Sequence, residues 1–254
     1  TIMASGSPNE VIGVLAHEIG HLAGGHQERL RQKLGSAGRM ATIAGLVGMG
    51  AAVAGSASGN GDAGKAGAGI AAGAQEMARR SILAYQRTEE ITADRSAVVY
   101  LDKTGQSARG MLITFQRFQT SLALSGTKVD PYKISHPLPR ERIANLEDLA
   151  QKSPNFGKAD SPALQARHDL ARAKVAAYSG NINTVRRLFR DRPDSIGLKY
   201  GEAISAYLQG SSKDALNKFD ALVKQMPQNG YVHEIRGEIL LKANRPADAA
   251  KAFR

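Results

Sequence analysis

The chain has 254 residues, a formal net charge of +11, no cysteine, no tryptophan and 5% aromatic residues. That length suits one large domain or two smaller ones, and the lack of cysteine excludes disulfides, thiolate zinc sites, iron–sulfur clusters and cysteine nucleophiles, so a metal would sit on His, Asp or Glu. The charge predicts attraction to anionic partners, but acids are interleaved with the bases, aromatics are too few for a base-stacking surface, and no nucleic-acid motif is present.

The chain starts at Thr1 and runs straight into a helical pattern with no targeting segment, so an earlier part of the protein is expected upstream. Ser7-Pro8-Asn9-Glu10 forms a capping box with proline at the first helical position, and Val11, Ile12, Val14, Leu15, Ile19 and Leu22 follow, which predicts a buried helix from about residue 8 to about residue 33. Met40 to Gly61 carries no charge and consists mainly of Ala, Gly and aliphatic residues. Its truly apolar core is roughly 15 residues, short of the ~20 of a membrane span. A hairpin of two small-residue helices around a Gly-rich tip, Gly59 to Gly69, is expected in this insert of about residues 40–73; it is either a mobile surface loop or an arm that touches lipid or lines the substrate groove. Helical patterning resumes from Ala74 through Leu101 and again from about Ala108 to Leu124, and Ser135-His136-Pro137 is expected to open a further short helix.

Beyond about residue 160 the pattern repeats. Leu188 and Leu222, Pro193 and Pro227, Ala215 and Ala249, and Phe219 and Phe253 each stand 34 residues apart, the period of a tetratricopeptide array of paired helices. The chain ends at Arg254 inside a helical pattern, as an incomplete array would. Strand-type alternation is nearly absent. The expected fold is mostly α, a helical catalytic domain over residues 1–155 followed by helical repeats over 160–254.

One stretch names a chemistry. In His17-Glu18-Ile19-Gly20-His21 two imidazoles four residues apart on a helix share one face and can reach a single Zn²⁺, with Glu18 beside the open position as a base for the metal's water. A third ligand is needed. The extended metzincin pattern fails because His26 falls one position short and Gln27 stands where the ligand should be, which leaves His26 as a solvated residue at a helix end. The better source is Glu90-x-x-Ala93-Asp94: on a helix Glu90 can bind the metal while Asp94, on the same face, accepts the outer N–H of a ligand histidine.

His-Glu-Ile-Gly-His, then Glu-x-x-Ala-Asp after a variable insert, then Ser135-His136-Pro137 with Arg142-Ile143 behind it, resembles the gluzincin metallopeptidases that include the heat-shock membrane protease and the CAAX prenyl protease, peptidase family forty-eight of the metallo class. With its repeat tail the chain is most similar to the soluble periplasmic branch of that family. The resemblance spans residues 8 to about 150 by motif and implies one Zn²⁺ held by His17, His21 and Glu90, Glu18 as general base, and Asp94 behind the ligands. His136 would lie in the family's HP loop, holding the oxyanion or capping the zinc, or else simply packing the loop. Arg142 would pair with a carboxylate near the cleft, against the plainer alternative of a surface salt bridge. The family's segment before the HExxH helix is largely missing from this chain.

The implied function is a zinc endopeptidase of the bacterial periplasm that hydrolyses unfolded or misassembled proteins, its repeats recruiting substrate or the outer-membrane assembly machinery. The charge fits a peripheral contact with an anionic membrane rather than with nucleic acid. The alternative is a chaperone-like binding module whose zinc site is self-inhibited or vestigial.

Overall fold

The computed structural model describes residues 2–59, 61–124 and 140–254, and among these it contains eleven α-helices and no strand. They are α1 (Pro8–Ala23), α2 (His26–Ala57), α3 (Gly61–Lys103), α4 (Arg109–Leu124), α5 (Arg140–Gln151), α6 (Pro162–Ser179), α7 (Ile182–Leu188), α8 (Ile196–Leu208), α9 (Ser212–Gln225), α10 (Gly230–Lys242) and α11 (Pro246–Ala252). The mostly α fold is thus as expected. The chain divides into two compact units, Ile12–Lys158 on one hand and Thr1–Val11 with Ala159–Arg254 on the other. The N-terminal turn and the start of α1 therefore group with the repeats, although the motif pattern assigns them to the catalytic domain.

In the unit Ile12–Lys158 the core is built from Ala16 on α1, Ala97, Val98 and Leu101 on α3, Met111, Leu112 and Phe115 on α4, and Ile143, Leu146 and Ala150 on α5. Two glycines seven residues apart on α1 let its neighbours come close. A Cβ at Gly13 would lie 2.7 Å from the backbone nitrogen of Met111, and one at Gly20 would lie 2.8 Å from the carbonyl oxygen of Ala93. The Gly20 of the His-Glu-Ile-Gly-His motif is therefore a packing requirement, because any side chain there would push α1 away from α3.

The single helix expected over residues 8–33 is in fact two. α1 ends at Ala23, Gly25 adopts φ +62°, a left-handed conformation that suits glycine, and α2 starts at His26. α2 then runs unbroken for 32 residues, through Gly35 and Gly38. With α3 it forms the expected helical hairpin, but the tip is shorter than the glycine pattern suggests: α3 begins at Gly61 and continues through Gly69 to Lys103. Its helices meet closely at Gly48 and Gly67, where a Cβ on either residue would come within 2.5 Å of the other's carbonyl oxygen. The helical stretch His26–Gly55 is longer than the roughly 15-residue apolar core read from sequence, and by length and composition alone it could cross a membrane. The segment expected to open a helix at Ser135-His136-Pro137 lies outside the described residues; α5 is described from Arg140.

In the other unit α6–α7, α8–α9 and α10–α11 are consecutive helix pairs joined by short turns. The 34-residue pattern falls on packing positions: Ala215, Phe219, Leu222 and Ala249 are buried, and the ring of Phe253 lies where a Cβ on Gly237 would come 2.4 Å from it. Phe253 itself is 50% exposed. Tyr200 and Phe219 meet edge to face at 5.9 Å in the centre of this core. Ser161, Asn181, Ser195 and Asn229 accept backbone N–H groups as helix caps, which explains the sharp starts of α6, α7, α8 and α10. The arrangement is consistent with tetratricopeptide-type pairing.

His168 on α6 is buried, with its Nε2 2.8 Å from the Ser5 hydroxyl. Burial, and then the charge of Arg172, hold it below its ordinary value of 6.5, while Asp169 and Glu10 oppose the shift and Arg192 adds to it. A histidine with a lowered folded pKa gives stability that is present above the unfolded value and is lost as pH falls from there through the folded value. His168→Gln is accordingly expected to flatten the loss of thermal stability below about pH 6.5, and melting curves for both proteins between neutral and mildly acidic pH check it; parallel curves would contradict the assignment.

Candidate metal centre

The four-residue spacing on α1 turns His17 and His21 to one side of the helix, and the Gly20–Ala93 approach brings that side onto α3. The two Nε2 atoms are 3.0 Å apart. Glu90 sits opposite them, its Oε2 3.5 Å from His17 Nε2 and its Oε1 3.3 Å from His21 Nε2. One nitrogen or oxygen from each of the three residues lies within 4.8 Å of the others, a separation that lets one ion touch all three. His17 and Glu90 are buried and His21 is partly so.

The outer nitrogens are held as well. His17 Nδ1 lies 2.9 Å from Asp94 Oδ1, one turn along α3 from Glu90. Arg142 from α5 closes the cluster: its Nε and Nη2 donate to the two carboxylate oxygens of Asp94 at 2.6 and 2.8 Å, and its Nη1 lies 2.5 Å from Glu90 Oε2. All three of these charged groups are buried. Arg142 is therefore no surface salt bridge; it is the fork that fixes both carboxylates. Phe115 of α4 supports this array from below, with its ring centroid 5.0 Å from the guanidinium carbon and 5.5 Å from the His17 ring.

Two buried carboxylates against one guanidinium leave an excess negative charge, which a dication or a protonated imidazole would offset. The protonation of His17 responds to this excess. Burial pulls its pKa down, yet the contacts with Asp94 and Glu90 outweigh burial and hold it above 6.5. Two imidazoles and one carboxylate, with a net anionic surround, fit a divalent metal of the zinc type.

Glu18 is exposed on the next position of α1, at the rim of an open pocket of about 210 Å³ that is also lined by His21, His26, Tyr85, Glu89 and Glu90. The carboxylate that follows His17 thus lines this open space. His136 lies outside the described residues.

A family model described as Peptidase family M48 matches residues 1–150. The chain belongs to this metallopeptidase family. Among curated relatives it is 25% identical over 249 residues to a beta-barrel assembly-enhancing protease of Yersinia pestis, covering 95% of this chain and 48% of the relative. It is 30% identical over 237 residues to a putative beta-barrel assembly-enhancing protease of Vibrio cholerae serotype O1, covering 89% of this chain and 46% of the relative. The chain thus spans about half the length of the curated relatives it matches, and no solved structure matches it.

His26 is where sequence reasoning about this M48 chain fails. It is buried, not solvated at a helix end: its Nδ1 lies 2.8 Å from His21 Nδ1, and its Nε2 lies 2.6 Å from Glu89 Oε2, which Arg29 holds at 2.9 Å. The turn makes room for it, because a Cβ on Gly24 would overlap the His26 ring at 2.1 Å. The available signal was Gly24-Gly25 directly before a histidine, a turn that can fold the ring back over the helix it has just left. With Nε2 of His21 turned to the centre, its Nδ1–H can donate to His26 Nδ1, leaving the proton of His26 on the nitrogen facing Glu89. Burial keeps His26 below its ordinary pKa against the opposing charge of Glu89, with the Arg29 charge adding to the lowering, which favours this neutral form. His26→Ala is expected to weaken metal binding by about 10- to 100-fold, measured by competition with a chromophoric chelator; an unchanged affinity would show that His21 needs no such support.

Proposed function

We propose that this chain is the catalytic part of a zinc-dependent endopeptidase of the bacterial cell envelope, acting on unfolded or misassembled proteins. The observation that carries the reading is the convergence of His17, His21 and Glu90 on one point beside a pocket rimmed by Glu18. His17, His21 and Glu90 would hold Zn²⁺, and the bound ion would supply Lewis acidity to polarise the scissile carbonyl and acidify water.

The protein's own groups account for the remaining steps. Glu18 takes a proton from the attacking water and delivers it to the leaving amine nitrogen as the C–N bond breaks. Asp94 holds His17 by its outer nitrogen, and Arg142 holds Asp94 and Glu90 in place. His136 is assigned by family resemblance to the oxyanion or to capping the resting site.

The relatives' names refer to β-barrel assembly, and outer-membrane proteins that stall during assembly are the substrate class we infer from them. The periplasm is the compartment that goes with such substrates. The helix pairs are suited to recruiting a substrate segment or the assembly machinery: α6, α8 and the start of α10 enclose a groove of about 660 Å³ lined by Arg167, Leu170, Lys174, Tyr200, Asn229 and Tyr231. The test is zinc content together with casein digestion, with and without 1,10-phenanthroline. Bound zinc near one equivalent and cleavage that stops with the chelator and returns with zinc are expected. A zinc-loaded chain that cleaves neither casein nor an unfolded outer-membrane protein would point instead to a binding module.

A further inference from the structure

The α2–α3 hairpin has two unlike sides. Along residues 40–55 of α2, Ala41, Ala44, Gly45, Gly48, Ala51, Ala52 and Gly55 are the positions withdrawn from solvent, and Gly48 meets Gly67 of α3. At about 100° per residue they occupy one strip of the helix. The opposite half carries Met40, Ile43, Leu46, Val47, Met49 and Val53, each between 57% and 69% exposed. Six large apolar side chains on one exposed face exceed what scattered surface hydrophobics explain. No charge interrupts Met40 to Gly61, whereas the base of α2 carries Arg31, Lys33 and Arg39, besides the Arg29 that pairs with Glu89 of α3, against the single acid Glu28. An apolar face flanked by cations on one continuous helix matches an anionic bilayer surface, where acyl chains take the first and headgroups the second.

We propose that the α2–α3 hairpin docks on anionic membrane, with the Met40–Val53 face of α2 lying in the boundary between headgroups and acyl chains. The hairpin lies along the surface rather than crossing it. Residues 40–57 extend roughly 27 Å, close to the hydrocarbon thickness, but the paired α3 carries Asp62, Lys65 and Glu76 over the same stretch, and a crossing would carry them into hydrocarbon. The docking does not rest on the zinc reading: it would hold for a chain with no catalytic activity.

The absence of tryptophan makes the experiment direct, because any introduced tryptophan is the sole indole signal. Val47→Trp and Val53→Trp place the probe on the docking face, and Leu241→Trp places it on α10 as a control. With phosphatidylglycerol-containing vesicles both face probes are expected to shift to the blue and to be quenched most by bromines near the headgroup end of the acyl chain, while the α10 probe stays unchanged. Phosphatidylcholine vesicles or high salt should weaken the shift. Ile43→Asp with Leu46→Asp should reduce vesicle flotation by about tenfold or more, with circular dichroism and zinc content retained to show that the fold persists. Three results would overturn the proposal: no shift with either vesicle, a shift without lipid that accompanies a doubled mass and so assigns the face to a second copy, or strongest quenching by bromines at the bilayer centre.

Discussion

Glu18→Gln is expected to lower kcat by about a hundredfold to ten-thousandfold, the range that a positioned general acid–base group contributes. The glutamine keeps the shape of the side chain and its place at the pocket rim, but its amide cannot take a proton from water and return it to the leaving amine. Glu18 is exposed, while the groups that converge on the metal position are His17, His21 and Glu90, so the fold and the metal content should be unaffected. The decisive pair of measurements is therefore zinc content and single-turnover cleavage of an unfolded substrate. A variant that binds zinc and cleaves at the wild-type rate would remove Glu18 from the reaction.

The second large effect is expected at Arg142. Arg142→Met keeps the apolar bulk against Phe115 but leaves Asp94 and Glu90 buried without their guanidinium, and breaking a buried pair in this way costs about 3–5 kcal/mol. A surface ion pair would cost about 0–1 kcal/mol, so the two readings of this residue are well separated. Zinc changes the sign of the local charge around Glu90, and the loss should be larger for the metal-free protein than for the loaded one. Hydrogen exchange at the amides of α3 and α5 isolates the effect from the repeats, because it reports the opening of those helices individually. A change within the surface-pair range in both metal states would mean that the buried geometry contributes no stability.

Those two residues show how unevenly the site could be read beforehand. The pairing of His17 and His21 was legible because helical spacing is local: the two share a face whatever surrounds them. The same holds for Glu90 and Asp94 on α3, and for the 34-residue recurrence of Ala215, Phe219 and Leu188 in the helix pairs, where a repeated packing position must recur in sequence. The Ala/Gly composition of residues 40–73 likewise indicated a hairpin of two small-residue helices. The length of α2 was misjudged because glycine weakens a helix by only about 1 kcal/mol, and close packing against α3 at Gly48 and Gly67 offsets that preference.

Arg142 and His26 were not legible in the same way. Arg142 reaches Asp94 across 48 residues of chain, and nothing within α5 distinguishes it from a solvated arginine. His26 becomes a partner of His21 only because Gly25 takes φ +62° and Gly24 has no Cβ. By itself the sequence determined which side chains could bind a metal, which face of α1 carries them and that the chain is helical, since each follows from spacing within one element. Only the tertiary structure decided which charges are buried together and which histidine stands behind His21, because burial and pairing depend on how closely separate helices approach, and at Gly20 and Ala93 that distance is set by an absent side chain.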